Sequence, residues 1–274
     1  MSDEPKQAAI ERVIVPLDAA SENRTAIDTA AHLAARVRAR LLGIFVEDED
    51  LLNLASLPFS RQITLGAAAE PLTPDHVALH LRLAADRAHQ QLLEAAQHYR
   101  VAAGFEIVRG AAATALSGLS EADLVVAGGL TRPIGAHFRL TCRWWSSIEA
   151  ARGPFLLARH HWRASGSIVA MLRDRGAASG RLLRAAAQIA EAADRVLTVI
   201  AATPGTDQWI AERLAGHPVR PQVETGPVEP AALHRRLAEL DCRLLAVEAG
   251  LAEERGERLR EFVERFAFDI LIVR

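Results

Sequence analysis

Hydrophobic positions along this chain fall into two alternating rhythms. Short apolar runs rich in Val, Ile and Leu are separated by longer stretches in which apolar residues recur at helical spacing. In the first half the short runs at 13–18, 41–46, 105–108, 122–127 and 155–159 predict buried strands. Between them, Ile27, Ala30, Ala34 and Val37 predict a helix that starts near Ser21. Thr73-Pro74-Asp75 is a helix start: a capping hydroxyl, a proline at the first helical position and an acid at the positive end of the dipole. Val77, Leu81, Ala84, Ala88, Leu92 and Tyr99 carry that helix along one face. Residues 48–72 read as an irregular excursion over the strand ends, 112–120 as a short helix, and a further helix holds Trp144, Trp145 and Ile148.

After a linker at 160–166 the order repeats. Strands are expected at 168–172, 196–200, 222–226, 244–247 and 270–273. Helices are expected around Leu182, Leu183, Ala186, Ile189 and Ala193, at 209–214, from Pro230 to Leu240, and at 258–266. The two halves match piecewise: Val108-Arg109-Gly110 with Glu224-Thr225-Gly226, the run at 123–128 with that at 243–248, and 155–159 with 270–274. Strands and helices repeating in the same order imply right-handed crossovers and parallel sheets covered by helices. The expected fold class is therefore α/β, with two tandem Rossmann-like domains at 1–162 and 163–274. The strands at 155–159 and 270–274 are expected to pair within the chain as an intramolecular pseudo-dimer.

Composition narrows the functional classes. The 274 residues are 50% hydrophobic and only 5% aromatic, and the net charge of −2 offers no global basic field for nucleic acid. Arg235-Arg236 stands among Glu residues and reads as a solvated face. Cys142 and Cys242 have no metal or redox spacing. The polar start of the chain is not a signal peptide and no apolar run is long enough to span a bilayer, so the expectation is a cytoplasmic protein without membrane insertion.

The opening strand VIVPLD, the helix and second strand after it, a third strand ending in Gly, the run DLVVAGG and a final strand led by Pro together resemble the universal stress protein family. The resemblance spans nearly the whole chain as two copies, the second more diverged. It implies a five-stranded, mainly parallel sheet in each domain, of the adenine nucleotide alpha hydrolase-like kind. Many members bind ATP through G-x2-G-x9-G-[S/T] after the fourth strand. There, glycines let the backbone approach phosphate oxygens and the last pair sits at a helix N-terminus. Here Gly128 takes the first position, Thr131 the second, and Thr141-Cys142 the final pair. The spacing survives but only one glycine does. In binding members the acid matching Asp18 contacts the adenosine moiety, and Val46 would offer backbone atoms to the base. The resemblance thus assigns a degenerate groove to Pro16, Asp18, Val46, Gly128, Thr131, Arg132, Arg139, Thr141 and Cys142. Either Arg132 and Arg139 replace the lost donors as charged forks, or the loop is a packed cap; the second reading is favoured. Asp18 serves equally well as a helix cap. In the second half Leu172 takes the place of Asp18, with Asp174 nearby, and Gly256-Glu257 the place of the terminal pair, where Glu257 would repel phosphate.

Other constellations are weaker. His76 and His80 share a helix face but lack the glutamate of a metalloprotease helix, and read as solvated. His160-His161-Trp162 reads as packing, and an exposed member of Trp144-Trp145 would mark an interface. No catalytic signature occurs. The expected function is a stress-response or regulatory protein acting through contacts with a protein partner or as a homo-oligomer, with no required cofactor. The alternatives are ATP or AMP binding with slow ATP hydrolysis in the first domain, and a soluble partner of a membrane transporter.

Overall fold

The computed structural model describes residues 10–19, 24–62, 70–128, 152–159, 166–226, 230–251 and 259–274. In the first half, strands β1 (Arg12–Leu17), β2 (Arg40–Glu47), β5 (Ala103–Arg109), β6 (Asp123–Gly128) and β7 (Phe155–Ala158) build the sheet, and β3 (Arg61–Gln62) and β4 (Glu70–Pro71) form a separate small ladder. Helices α1 (Arg24–Val37), α2 (Glu49–Ala55), α3 (Pro74–Tyr99) and α4 (Ala112–Leu116) connect them. In the second half the strands are β8 (Ser167–Leu172), β9 (Leu197–Ala201), β10 (Gln222–Thr225), β11 (Cys242–Glu248) and β12 (Asp269–Val273). The described helices there are α5 (Ala177–Ala193), α6 (Asp207–Arg213), α7 (Pro230–Glu239) and α8 (Leu259–Glu264).

The main sheet has ten strands in the order β10-β9-β8-β11-β12-β7-β6-β1-β2-β5. Counted within each half, both read third, second, first, fourth, fifth. All pairings are parallel except that of β7 with β12, which is antiparallel. The expected pairing of the two final strands is therefore present, with Ile270 opposite Leu157, Leu271 opposite Leu156 and Ile272 opposite Phe155. Just past β7, the Arg159 N–H donates to Asp269 Oδ1 at 2.7 Å and Arg159 Nη2 donates to the Val263 carbonyl at 2.9 Å, fastening the same joint.

Alternation along the strands puts an apolar layer on each face of the sheet. Val13, Val15 and Leu17 face α1, α3 and α5, whereas Ile14 shares the opposite layer with residues of α4, α7 and α8. Both layers run unbroken across the joint. Helices α1 and α5 pack against each other there, and Arg36 donates to the Ala192 carbonyl.

Local chemistry explains the element ends. Thr73 caps α3 by accepting from the His76 N–H at 3.3 Å, and the helix ends at Arg100 in the left-handed region, φ 56°. Two expectations need correction. Residues 48–72 are not irregular throughout: Asp48 caps α2 through the Asp50 N–H at 3.0 Å, and Leu51 and Leu52 pack on Val77 and Leu81. The helix expected at 112–120 stops at Leu116, where the Ser117 hydroxyl turns back to the Thr114 carbonyl at 2.8 Å.

One polar knot sits at the strand starts. Asp123, 1% exposed, accepts from Arg12 Nε and Nη2 at 2.7 and 2.6 Å and from the Ser120 N–H at 2.7 Å. Burial pushes its carboxyl upward, but the Arg12 fork and the Ser120 donors outweigh burial and hold it below the usual range. A depressed folded-state value means that the contribution is complete above the unfolded carboxylate range and is lost as pH falls through the folded value. Asp123→Asn is therefore expected to cost about 1–3 kcal/mol near neutral pH. It should also flatten the acid limb of stability below about pH 4, read by urea titrations across pH.

Candidate functional site

In a sheet of this order the crevice lies beyond the C-terminal ends of the first and fourth strands, where the connections diverge to either side. In the first half this is the end of β1 and β6. Parallel registers place Pro16 opposite Ile44, Leu17 opposite Phe45 and Gly128 opposite Ala158. Pro16, Asp18, Val46 and Gly128 thus reach the same end of the sheet. Pro16 and Val46 are buried, while Asp18 and Gly128 are partly exposed. Beside them the Arg109 fork donates to Glu47 Oε2 at 3.1 and 3.2 Å, and the Gly110 N–H donates to the Glu47 carbonyl. Thr131, Arg132, Arg139, Thr141 and Cys142 lie outside the described residues, as do Trp144, Trp145, His160–Trp162, Gly256 and Glu257.

The second crevice, at the ends of β8 and β11, is described more fully. Val125 pairs with Phe155 as Leu245 pairs with Ile270, and Ile14 pairs with Val125 as Val169 pairs with Leu245. These ladders make Leu172 the counterpart of Leu17 and Arg173 the counterpart of Asp18, which corrects the expected match of Asp18 with Leu172. The pleat decides the matter: Leu17 and Leu172 both point into the same apolar layer, so the residue after each occupies the crevice position. The same ladders set Glu248 in the place of Gly128. The second crevice therefore carries Arg where the first has Asp, and Glu where the first has Gly.

Glu248 fills the space it occupies. It is 4% exposed, and its Oε1 stands 2.5 Å from Ser179 Oγ on α5. The same hydroxyl lies 3.0 Å from Asp174 Oδ1. Its single proton can serve only one of the two carboxylates at a time. Asp174 Oδ1 also accepts from the Gly176 N–H at 2.6 Å, the group that leads into α5. That N–H holds the Asp174 carboxyl below the usual carboxylate range, with Ser179 and Arg173 adding to the effect against an opposing push from burial. Where an anion site would present bare backbone donors at a helix start, this half presents its own carboxylates.

Other sequence candidates fall elsewhere. His76 and His80 are exposed on α3. Among the described residues no group of three or more His, Cys, Asp or Glu could hold a metal, and no helix is long and apolar enough to cross a membrane. Cys242 is a buried free thiol at the start of β11, and burial pushes its pKa up to about 12, so it stays protonated and unreactive.

Ser179→Ala would leave the buried Glu248 carboxyl without its hydroxyl partner. The variant is expected to lose about 1–3 kcal/mol of stability by urea unfolding.

No protein-family model and no curated protein matches the sequence. Solved structures do match. A universal stress protein from Archaeoglobus fulgidus DSM 4304 aligns over 96% of both chains, with a TM-score of 0.65 at 14% identity. A functionally unknown protein from Pseudomonas aeruginosa PAO1 covers 96% of this chain and 92% of its own, with a TM-score of 0.59 at 14% identity. At that identity the likeness establishes architecture, and this chain has the tandem Rossmann-like α/β fold of a universal stress protein structure along almost its whole length.

Proposed function

We propose that this chain is a tandem stress-response or regulatory protein of the universal stress protein kind, acting through protein contacts. The two halves, 1–162 and 163–274, serve as diverged domains of one unit. The observation that carries this reading is the apolar surface of the α2–α3 excursion. Phe59 is 91% exposed, and Leu54, Leu57, Leu79 and Leu83 are exposed on the same excursion. Large apolar side chains left exposed on two elements that pack together are a feature of contact surfaces rather than of a closed monomer. The filled second crevice supports the companion view that its nucleotide site is degenerate.

A second reading retains one specific observation. Asp18, Val46 and Gly128 meet at the switch point of the first half, where an adenine nucleotide would lie, with Arg132 and Arg139 as its phosphate forks. Calorimetry separates the two. The first reading expects no saturable heat from ATP or AMP and no nucleotide carried through purification. Binding that Asp18→Ala abolishes would establish the second.

The contact surface has its own test. Cross-linking in the producing cells is expected to give protein adducts that a Phe59→Ser, Leu79→Ser double variant removes. The thermal midpoint should change little, because Phe59 is almost fully in water and Leu79 is half exposed.

A further inference from the structure

The outward face of α3 carries a pattern that the packing of its inward face does not require. Val77, Leu81, Ala85, Ala88 and Leu92 face inward and are buried. About half a turn around the helix from them run His76, Leu79, Leu83 and Asp86, spaced three, four and three residues apart. Leu79 is 52% exposed and Leu83 49%, and His76 and Asp86 are exposed at either end of the pair. A single exposed leucine is ordinary on a protein surface. Two at the seam spacing of packed helix pairs, closed at each end by a polar residue, form a strip with a defined register.

The strip is complementary to itself. A twofold axis crossing α3 level with Leu81 sets Leu79 of one copy opposite Leu83 of the other and His76 opposite Asp86, and each contact occurs twice. Leucines then meet leucines at the centre, and an imidazole N–H faces a carboxylate at each end. A parallel pairing would instead set His76 against His76 and Asp86 against Asp86. Arg82 meets its own copy at the solvated rim, where charge pairs weigh little and Asp86 stands one turn along the same helix. The platform is firm. Thr73 caps α3, Leu51 and Leu52 of α2 pack on Val77 and Leu81, and Arg87 Nε donates to the Leu83 carbonyl at 3.1 Å.

We infer that the outward face of α3 docks a second copy of this chain, antiparallel, through Leu79 and Leu83. The inference rests on the protein-contact reading above and names the partner for the α3 part of that surface. One helix from each copy supplies the contact, so the interface is smaller than that of a permanent dimer and association depends on concentration.

Sedimentation of the full chain between about 1 and 500 μM tests the pairing. The expected result is a reversible monomer–dimer equilibrium. Leu83→Asp acts twice in the pair and should weaken it at least about tenfold. Charge tests the register. His76→Glu sets carboxylate against carboxylate at both ends, and Asp86→Lys sets an ammonium against each imidazole, so either alone should weaken the dimer. An equimolar mixture of the two variants should restore it as a mixed dimer, because the introduced carboxylate then faces the introduced ammonium. All three positions are exposed, so the thermal midpoint of each monomer should change little. A parent that stays monomeric throughout overturns the inference. So does parent-like dimerisation of Leu83→Asp, or a mixture no tighter than its components. A monomeric parent whose cellular adducts still depend on Phe59 and Leu79 sinks the self-pairing and leaves the protein-contact reading standing. A dimer in solution with no adduct in cells upholds the pairing and sinks the wider reading.

Discussion

The edge-to-edge pairing of β7 with β12 is the constraint on which the remaining geometry rests. Each half ends in an apolar strand, Phe155–Ala158 and Asp269–Val273, buried along its whole length. Left alone, either strand would expose a row of unpaired N–H and C=O groups beside leucine and isoleucine side chains, the arrangement that invites aggregation. Pairing them removes both edges at once and moves the free margins to β5 and β10. Those strands are largely exposed or half-buried, and charged residues such as Glu106, Arg109 and Glu224 discourage further strand addition. The antiparallel sense then fixes the rest. The C-terminal ends of the two half-sheets point in opposite directions, so the two crevices open at opposite margins. The strand starts of one half lie beside the strand ends of the other, and α1 meets α5 on one face.

Within that frame the two halves keep the same buried residues and exchange the polar ones. Leu17 and Leu172 are both core, because a strand interior tolerates only a narrow range of shape. One position further on, Asp18 faces Arg173 across the pseudo-symmetry, and Gly128 faces Glu248. Those positions stand at the strand ends, one step beyond the shared apolar ladder. The Glu248–Ser179–Asp174 contacts show the outcome. There the Ser179 hydroxyl stands between the Glu248 and Asp174 carboxylates, and the Gly176 N–H donates to Asp174 at the start of α5.

The architecture was legible because its signals were local. Thr73-Pro74-Asp75 named a helix start, and the apolar runs named the strands, including the two that pair at the joint. The α2 helix is hidden in the sequence because Asp48-Glu49-Asp50 has the polarity of a solvated loop, and only the capping bond and the packing of Leu51 on α3 make it a helix. The match of Asp18 with Leu172 slipped by one residue because apolar runs carry no register of their own; hydrogen-bonded ladders supply it.

The joint is held by buried strand pairing, by unbroken apolar layers on both faces and by the Arg159–Asp269 contact. Separating the halves would expose two apolar layers together with a row of unpaired backbone groups on each final strand. Each half therefore relies on the other to close its sheet, and the two crevices are fixed relative to one another by the same pairing that buries the final strands.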